Sequence, residues 1–284
     1  MNQWQIGKVR ITRIVEIEIN GGTRFILPDA TRKACLPIDW MQPHFMDDKG
    51  NLIMSVHALI VDTGTRRIVV DTCIGNDKQR PIEAWSNLQT QFLDDLERAG
   101  YPRESIDTVM CTHLHVDHVG WNTMLVDGEW LPTFPNARYL VAEEEWKYWD
   151  ANDEPGQAQV MSDSVQPIAQ AGLMDLVDEN HQLCEEAYLE PTPGHTPGHV
   201  SVHIHSEGQH ALITGDCIHH PVQMTNPHWC SSADYDQKQG LATRRQLLEK
   251  YVDDDILIIG THFATPTAGH IRSMGEDKYW FDVN

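Results

Sequence analysis

Apolar residues recur along the chain with two periods, and these periods predict where strands and helices lie. Alternating apolar positions over residues 9–19 predict an opening strand. Residues 55–63 and 66–72 predict two neighbouring strands joined by a Gly-Thr turn. Apolar residues over 85–99 share one helical face, and Gly100 supplies a stop signal. The first half of the chain therefore mixes strands with at least one helix.

The second half repeats this mixture without any linker-like composition between the halves. Its pattern predicts strands over 106–112, 137–142 and 255–262, a hairpin over 199–206 and 209–216, and a helix over 241–252. Two similar halves indicate an α/β fold in which two β-sheets pack face to face with helices outside. We expect one domain over 1–284, with residues 1–50 as an N-terminal cap or extension.

Composition and charge limit the partners of this domain. Hydrophobic residues make up 40% of the chain and charged residues 22%, as in ordinary globular proteins. The formal charge of -21 repels nucleic acid and anionic membranes. The basic groups at 31–33, 65–67 and 243–245 are too short to follow a phosphate backbone. We therefore expect a small-molecule substrate, and neither nucleic acid nor a membrane as a partner.

The N-terminal sequence and the cysteines indicate a compartment. The opening residues lack a basic region followed by an unbroken apolar stretch, so they do not predict a signal peptide. The six cysteines are scattered without a C-x-x-C pair, which predicts buried thiols in a reducing environment. We expect a cytoplasmic protein, in which the extended N-terminus could serve as the arm of a homodimer.

A dense polar cluster follows the predicted strand over 106–112. The stretch "CTHLHVDHVGWN" carries His113, His115, Asp117 and His118 within one short loop. Imidazole and carboxylate groups are ligands for divalent ions such as zinc. His113 and His115, two apart in an extended segment, can face one ion, and Asp117 and His118 can reach a second ion beside it. The cluster therefore predicts a metal site.

Three later residues, each following an apolar run, complete this predicted site. His195 would join His113 and His115 at the first ion, and His262 would join Asp117 and His118 at the second. Two-metal hydrolytic centres hold their ions about 3.5–4 Å apart, which requires a bridging ligand. Asp216 in "LITGDCIHH" is suited to that role. His and Asp ligands suit zinc, and equally manganese, iron or cobalt.

Other polar and aromatic residues carry weaker signals. His219 comes three residues after Asp216 and is a candidate to contact substrate as a hydrogen-bond donor. Glu143 to Glu145 are expected to open a short helix, where negative charge is favourable. The chain also has histidines expected to be ordinary strand or surface side chains, and aromatic residues that would either line an apolar pocket or pack the interior. These histidines are His199, His203, His205 and His210, and the aromatics are Phe25, Trp40, Phe45, Trp121 and Trp229.

The order of the seven predicted ligands resembles that of the metallo-β-lactamase fold superfamily. The resemblance covers most of the chain from about Ser55 and includes "VDT" at 61–63 and 70–72, "PTPGHTPGH" and "TGD". It implies an αββα sandwich with the metals at one edge of the two sheets. The segments "GNDK", "GWN", "PTFPNARY" and "GDCIHHPVQ" resemble the branch that contains N-acyl-homoserine lactonases and methyl parathion hydrolase.

This resemblance implies a hydrolase that uses two divalent ions, expected to be zinc. We expect it to cleave an ester-type bond, first of all a lactone, by attack of a metal-bridging hydroxide, with Asp117 and Asp216 orienting the nucleophile. Hydrolysis of organophosphate triesters is the alternative. A persulfide dioxygenase with one iron is a less favoured alternative. A non-catalytic metal-binding module is also less favoured, since structural zinc sites are closed and use cysteine prominently.

Overall fold

A computed structural model describes residues 3–152, 156–275 and 277–283 of the chain. Within these residues the strands form two seven-stranded sheets and one separate two-stranded hairpin. Both large sheets are mixed, because each contains parallel and antiparallel strand pairs. The arrangement confirms the predicted α/β fold with two β-sheets.

The first sheet is built from the N-terminal half and has the order β1-β2-β3-β4-β5-β8-β9. Its first four strands pair antiparallel, and the pairs from β4 to β9 are parallel. Its strands are β1 (Gln3–Ile6), β2 (Val9–Asn20), β3 (Ile53–Asp62), β4 (Arg67–Val70), β5 (Thr108–Met110), β8 (Arg138–Ala142) and β9 (Met174–Val177), and the hairpin is β6 (Thr123–Val126) with β7 (Glu129–Pro132).

The second sheet comes from the C-terminal half and runs in sequence order from β10 to β16. Its neighbours pair antiparallel except β13 and β14, which are parallel. Its strands are β10 (Gln182–Cys184), β11 (Ala187–Pro191), β12 (Val200–Ser206), β13 (Gln209–Ile213), β14 (Leu257–Ile259), β15 (Ala268–Ser273) and β16 (Tyr279–Asp282).

The α-helices are short apart from two. They are α1 (Arg32–Cys35), α2 (Phe92–Arg98), α3 (Glu143–Ala151), α4 (Gln157–Val160), α5 (Gln166–Gln170), α6 (Val222–Thr225) and α7 (Gln237–Tyr251). One π-helical turn, Met161–Val165, joins α4 to α5. The longest helix, α7, is capped by Asp236, whose side chain accepts hydrogen bonds from the N–H groups of Lys238 and Gln239. None of the helices in the described residues is long and apolar enough to span a membrane.

Three apolar layers hold these elements together. Strand β3 illustrates the arrangement, since Leu59 and Val61 join the core between the two sheets. The alternate residues Ala58 and Ile60 face the opposite way and pack in the layer under α2 and α3. A third layer packs α6 and α7 against the second sheet. Because β3 is buried on both faces, its central residues from Ala58 to Val61 are all apolar.

The parallel strand pairs determine where the polar loops meet. Strands β4 and β5 are parallel in the first sheet, and β13 and β14 are parallel in the second. The carboxyl ends of parallel strands lie at the same edge of a sheet, so the loops that follow them are neighbours. The loops after β5, β13 and β14 carry six of the seven predicted ligands, His195 following β11 instead. One edge of the sandwich thus becomes the site.

Several predicted elements differ in extent from the observed ones. The helix predicted over 85–99 is wrong at its start, because α2 begins only at Phe92. Asn87 has a left-handed φ of 54°, and Leu88 forms a β-bridge with Asn76, so this part of the chain is pinned as a loop. The six cysteines are all unpaired, but only four are buried, since Cys184 and Cys230 are partly exposed.

The first fifty residues divide into two parts. Residues 3–20 form β1 and β2 of the first sheet, and β2 pairs along almost its whole length with β3. Residues 23–46 form short helical turns, and their apolar side chains pack beside the second sheet. The N-terminal segment therefore supplies both sheet edge and part of the wall above the polar loops.

Candidate metal centre

The structure brings all seven predicted metal ligands into one cluster at the sheet edge. Their nitrogen and oxygen atoms form groups of three whose members lie within 4.8 Å of one another. These groups are His113, His115 and His195; His113, His118 and Asp216; Asp117, His118 and His262; and His195, Asp216 and His219. The residues come from four loops, so the cluster exists only in the folded chain.

The first predicted ligand set converges closely. Nε2 of His113 lies 3.1 Å from Nδ1 of His115, and that Nδ1 lies 2.9 Å from Nε2 of His195. Burial lowers the pKa of His113 and of His115 well below that of free imidazole. Neutral imidazoles are the form that binds a metal ion. Three ring nitrogens that face one point are better suited to coordinate a shared cation than to form hydrogen bonds with one another.

The second predicted set is more open. Nε2 of His118 lies 3.2 Å from Nε2 of His262. The carboxylate of Asp117 lies 3.7 Å from His118 Nε2 and 3.6 Å from His262 Nε2. Burial opposes protonation of His118, but the carboxylates of Asp216, Asp71 and Asp117 raise its pKa well above the ordinary value. The carboxylates therefore favour positive charge at this point.

Asp216 lies between the two sets. Its Oδ2 is 3.4 Å from Nε2 of both His118 and His195, and its Oδ1 is 3.2 Å from Nε2 of His262. Oδ1 is buried and accepts no hydrogen bond from the described residues. A buried oxygen of this kind is costly unless a cation or a donor satisfies it. The donor set and this oxygen fit two divalent ions with Asp216 shared between them.

The far ring nitrogens of the histidines are held by partners outside the cluster. Nδ1 of His118 lies 2.8 Å from Oδ2 of Asp71, and Nδ1 of His195 lies 2.9 Å from Oδ1 of Asp234. Nδ1 of His262 lies 3.0 Å from the carbonyl oxygen of Ser55. Such partners fix the ring orientation and tautomer of metal-ligating histidines. The sequence indicates Asp71 through its "VDT" motif, whereas nothing in the pattern indicates Asp234.

Glu145 has a role that its position at a helix start does not suggest. Glu143 and Glu144 are exposed at the first turn of α3, as expected, but Glu145 is fully buried. Its carboxylate accepts hydrogen bonds from the N–H groups of Leu114 (3.0 Å) and Gly198 (3.1 Å) and from Nε1 of Trp149 (2.7 Å). It thereby ties the His113–His115 loop to the loop that carries His195.

Both backbone polar groups of Leu114 are hydrogen-bonded to side chains. Glu145 accepts its N–H, and the side-chain amide of Gln157 donates to its carbonyl oxygen at 2.6 Å. A Cβ at Gly198 would lie 2.2 Å from the backbone nitrogen of Glu145, so only glycine allows this close approach. Neither Glu145 nor Gln157 belongs to a recognisable spacing, and sequence reasoning misses both.

His219 lies where the sequence places it, beside Asp216. Its side chain is buried, and Nε2 lies 3.3 Å from Asp216 Oδ2. Neither ring nitrogen has a hydrogen-bond partner among the described residues, and burial lowers its pKa well below the ordinary value. The neighbouring His220 points elsewhere, with Nε2 2.9 Å from the carbonyl oxygen of Phe45. Only His219 therefore faces the cluster.

A cavity of about 260 Å³ lies over the cluster. His115, Asp117, His195, Asp216, His219 and His262 form its polar floor. Its walls are largely apolar and include Ile19, Phe25, Ile26, Met54, Val56, Ile82, Trp85 and Val116. Among the described residues that line it, none is lysine or arginine. The cavity thus offers an apolar space next to a polar floor.

The aromatic residues divide between this wall and the interior. Of the five aromatic candidates, Phe25 lines the cavity and packs edge-on against Trp85. Trp121 stacks on Phe92 in the first-sheet core, and Trp40, Phe45 and Trp229 pack with the second sheet. A second depression, next to His115 and His195, is lined by Tyr148, Trp149, Thr196, Ser232 and Tyr235. The cluster therefore opens toward two differently lined spaces.

Comparison with known families and proteins agrees with this geometry. The family model of the metallo-beta-lactamase superfamily matches residues 53–273, which confirms the resemblance found in the ligand pattern. An N-acyl homoserine lactonase of a Bacillus species is 23% identical over 175 residues, covering 61% of this chain and 62% of the relative. The probable metallo-hydrolase YybB of Bacillus subtilis is 27% identical over 168 residues, covering 58% and 63%. The matched part thus spans less than two thirds of these two relatives.

Solved structures share the fold over the whole chain. The hydrolase AbOPH, of the beta lactamase superfamily, has a TM-score of 0.79 at 24% identity, covering 100% of this chain and 97% of that one. AidC, a dizinc quorum-quenching lactonase solved with a product, has a TM-score of 0.80 at 19% identity, with the same coverages. At these identities the likeness concerns the fold, and it confirms the predicted two-sheet sandwich.

Proposed function

The chain belongs to the metallo-beta-lactamase superfamily, and from this premise we propose that it is a dinuclear-metal-dependent hydrolase that opens an uncharged lactone. The observation that carries the proposal is the seven-residue His/Asp cluster, five members of which line the floor of a largely apolar cavity. Curated relatives named as N-acyl homoserine lactonases and the dizinc lactonase AidC support the same chemistry.

The residues divide into two ligand sets with one shared member. His113, His115 and His195 would hold the first ion, and Asp117, His118 and His262 the second, with Asp216 between them. When bound, such ions lower the pKa of water toward neutrality and polarise an ester carbonyl. Open coordination positions toward a cavity are typical of catalytic rather than structural sites, which argues against a purely structural role.

The chain's own side chains supply orientation and proton transfer. The Asp117 side chain is 13% exposed and lines the cavity, so it can orient the attacking water and accept its proton. The side chain of Asp216 is only 5% exposed and serves better as a shared ligand. His219, whose ring nitrogens are unpartnered among the described residues, can donate a hydrogen bond to a substrate oxygen. These roles make Asp117, Asp216 and His219 the catalytic candidates.

The cavity wall favours an uncharged substrate. An anionic group placed against this wall, away from the two ions, would lose its hydration without gaining a cationic partner from the described lining. A lactone ring over the polar floor could place an apolar substituent against Phe25 and Trp85. An uncharged phosphotriester satisfies the same wall, which keeps triester hydrolysis as the second candidate. Phosphodiesters and carboxylate-bearing β-lactams do not.

A substrate panel on protein of known metal content tests the proposal. The panel contains N-acyl homoserine lactones, simple lactones, aryl esters and a phosphotriester, with a phosphodiester and a β-lactam as charged controls. We expect kcat/KM for a lactone to exceed that for the charged compounds by about 100-fold or more, because burying an unpaired charge costs several kcal/mol. A higher value for the triester would select the second candidate.

Two further outcomes contradict the proposal altogether. Oxygen uptake with a persulfide in the iron-loaded protein, without ester hydrolysis, would assign a dioxygenase. No turnover of any compound by protein that holds both ions would assign a metal-binding module. Mass spectrometry of the metal content accompanies each assay, so that an inactive preparation without metal is not mistaken for either outcome.

A further inference from the structure

A second group of histidines lies on the other face of the second sheet. Val202 and Ile204 face the core between the sheets, so the alternate residues of β12, His203 and His205, project from the opposite face. His210 of the neighbouring strand β13 is the direct cross-strand partner of His205. We call these three residues the β12–β13 histidine cluster.

Two of these imidazoles already meet. Nε2 of His203 lies 3.1 Å from Nδ1 of His210. One ion at about 2.0–2.1 Å from each nitrogen would reach both. The ring of His205 lies 6.2 Å from that of His210 between centroids, with 27° between their planes. His205 is partly exposed, so its ring can turn toward a point shared by the other two.

A carboxylate faces the buried member of the cluster, His203, from behind. His203 directs its other nitrogen, Nδ1, toward Oε2 of Glu190 at 3.7 Å. Glu190 is fixed by the ammonium of Lys250 and the hydroxyl of Tyr251, each at 2.7 Å. The Tyr188 ring stacks on His203 at 4.7 Å. A carboxylate behind a histidine orients the ring and raises its basicity toward an ion.

Charge and access also suit a cation. Burial tends to raise the pKa of Glu190, but the nearby His203 and the hydrogen bonds from Lys250 and Tyr251 lower that pKa to about 2, so its carboxylate is ionised. Burial and the two neighbouring histidines lower the pKa of His210, which favours its neutral form. His210 is exposed, so an ion can enter from solvent. The cluster lies at the start of β13, whereas Asp216 follows its end.

From these contacts we propose that the β12–β13 histidine cluster binds one borderline transition-metal ion, such as Zn²⁺, Ni²⁺ or Cu²⁺. His203 and His210 form the preformed pair, and His205 joins as the third imidazole. Imidazole donors select these ions over Mg²⁺ and Ca²⁺. The site is separate from the candidate metal centre and does not depend on the proposed hydrolase activity.

Metal titration of the full chain, with its candidate metal centre already loaded, tests this site. The protein is dialysed against Zn²⁺ buffered in the low micromolar range, and bound zinc per chain is counted by mass spectrometry. We expect one additional equivalent in the wild type and none in His210→Gln. We expect at least about 10-fold weaker binding in His205→Gln, because losing a ligand should cost no less than losing a residue that supports one. His228→Gln, which removes an exposed histidine elsewhere, keeps the additional equivalent.

A residue-specific measurement excludes binding at other places. Ni²⁺ bound in the cluster would broaden the imidazole NMR signals of His203, His205 and His210 before those of His228. The variants His210→Gln and His205→Gln are expected to keep the wild-type hydrolytic activity, since neither residue lines the cavity. Absence of the additional equivalent in the wild type, or its persistence in His210→Gln, would mean that the contact is only a hydrogen bond between imidazoles.

Discussion

The two sides of the candidate metal centre are built in different ways. On the first-sheet side, one loop after β5 carries His113, His115, Asp117 and His118 together. On the second-sheet side, His195, Asp216 and His262 come from separate loops, one each. The first side is therefore a local motif, and the second side exists only through the arrangement of strands.

The two sides also differ in how they are held. Side chains from distant elements grip the backbone of the first loop: Glu145 and Gln157 hold the peptide of Leu114, and Asp71 accepts the N–H of Thr112 at 2.8 Å. On the second side each ligand is held by a separate partner. His199 accepts the N–H of Asp216 at 2.8 Å, and Asp234 holds His195. The continuous loop is thus held at its backbone by several distant side chains, whereas the dispersed ligands are each held by a separate partner.

The largest effect is expected where the two sides meet. Asp216→Asn removes the negative charge that lies within 3.4 Å of His118, His195 and His262. Replacing a residue that supports a metal ligand typically lowers metal affinity by about 10–100-fold. Replacing Asp216 itself should lower it further, and hydrolysis should be lost. Metal content by mass spectrometry and the circular dichroism spectrum measure this. Full activity with unchanged metal content would show that Asp216 is not the shared ligand.

The next largest effect tests the support of the first loop. Glu145→Ala leaves the buried N–H groups of Leu114 and Gly198 and the Trp149 indole without their acceptor, at about 1–3 kcal/mol each. We expect a lower free energy of unfolding together with reduced metal content. Chemical denaturation and metal analysis measure the two quantities.

Matched variants separate positioning from general destabilisation. Glu144→Ala removes an exposed carboxylate from the same helical turn and should change neither quantity. Glu145→Gln keeps one oxygen acceptor and should recover part of the metal affinity. If Glu145→Ala lowered stability but bound both ions with wild-type affinity, the hydrogen bonds of Glu145 would stabilise the fold without positioning the ligands.

A smaller pair of effects compares the two sides directly. Asp71→Asn and Asp234→Asn each weaken the carboxylate behind one histidine, His118 and His195 respectively. We expect Asp71→Asn to cost more metal affinity, because Asp71 also holds the N–H and hydroxyl of Thr112 beside His113. The other contacts of Asp234, with the N–H of Ser231 and the guanidinium of Arg244, do not involve a residue next to a ligand. Asp234→Asn should weaken only the first ligand set, by about 10–100-fold. Equal losses, measured by competition with a chelator, would contradict the different construction of the two sides.

The same difference determines what the sequence predicts. The loop 113–118 is legible because its ligands are adjacent, and the later three because each follows an apolar run. The alternation in β2 and β12 predicts strands, since period two is a local property. Glu145 is misread as a helix-start charge because only the packing of α3 against the ligand loops buries it.

The loop between Trp85 and Phe92 shows the same limit for a helix. Its apolar spacing fits a helical face, but Leu88 pairs with Asn76, and the side chain of Asn76 accepts the N–H of Thr90 at 2.8 Å. These contacts join residues far apart in the pattern, so the tertiary fold overrides the local periodicity. Asp234 and Gln157 are missed for the same reason, because their partners lie in other elements.

The smallest effect concerns a residue on the second side that is not among the seven predicted ligands. His219→Ala removes an imidazole whose nitrogens have no hydrogen-bond partner among the described residues and which faces the cavity beside Asp216. We expect both ions to remain bound while kcat or KM for the lactone changes by about 10-fold, the scale of one hydrogen bond to a substrate oxygen. Steady-state kinetics on protein of measured metal content tests this. If one ion were lost, His219 would be a ligand, and the second side would supply four ligands. If the kinetics were identical to those of the wild type, His219 would not touch the substrate.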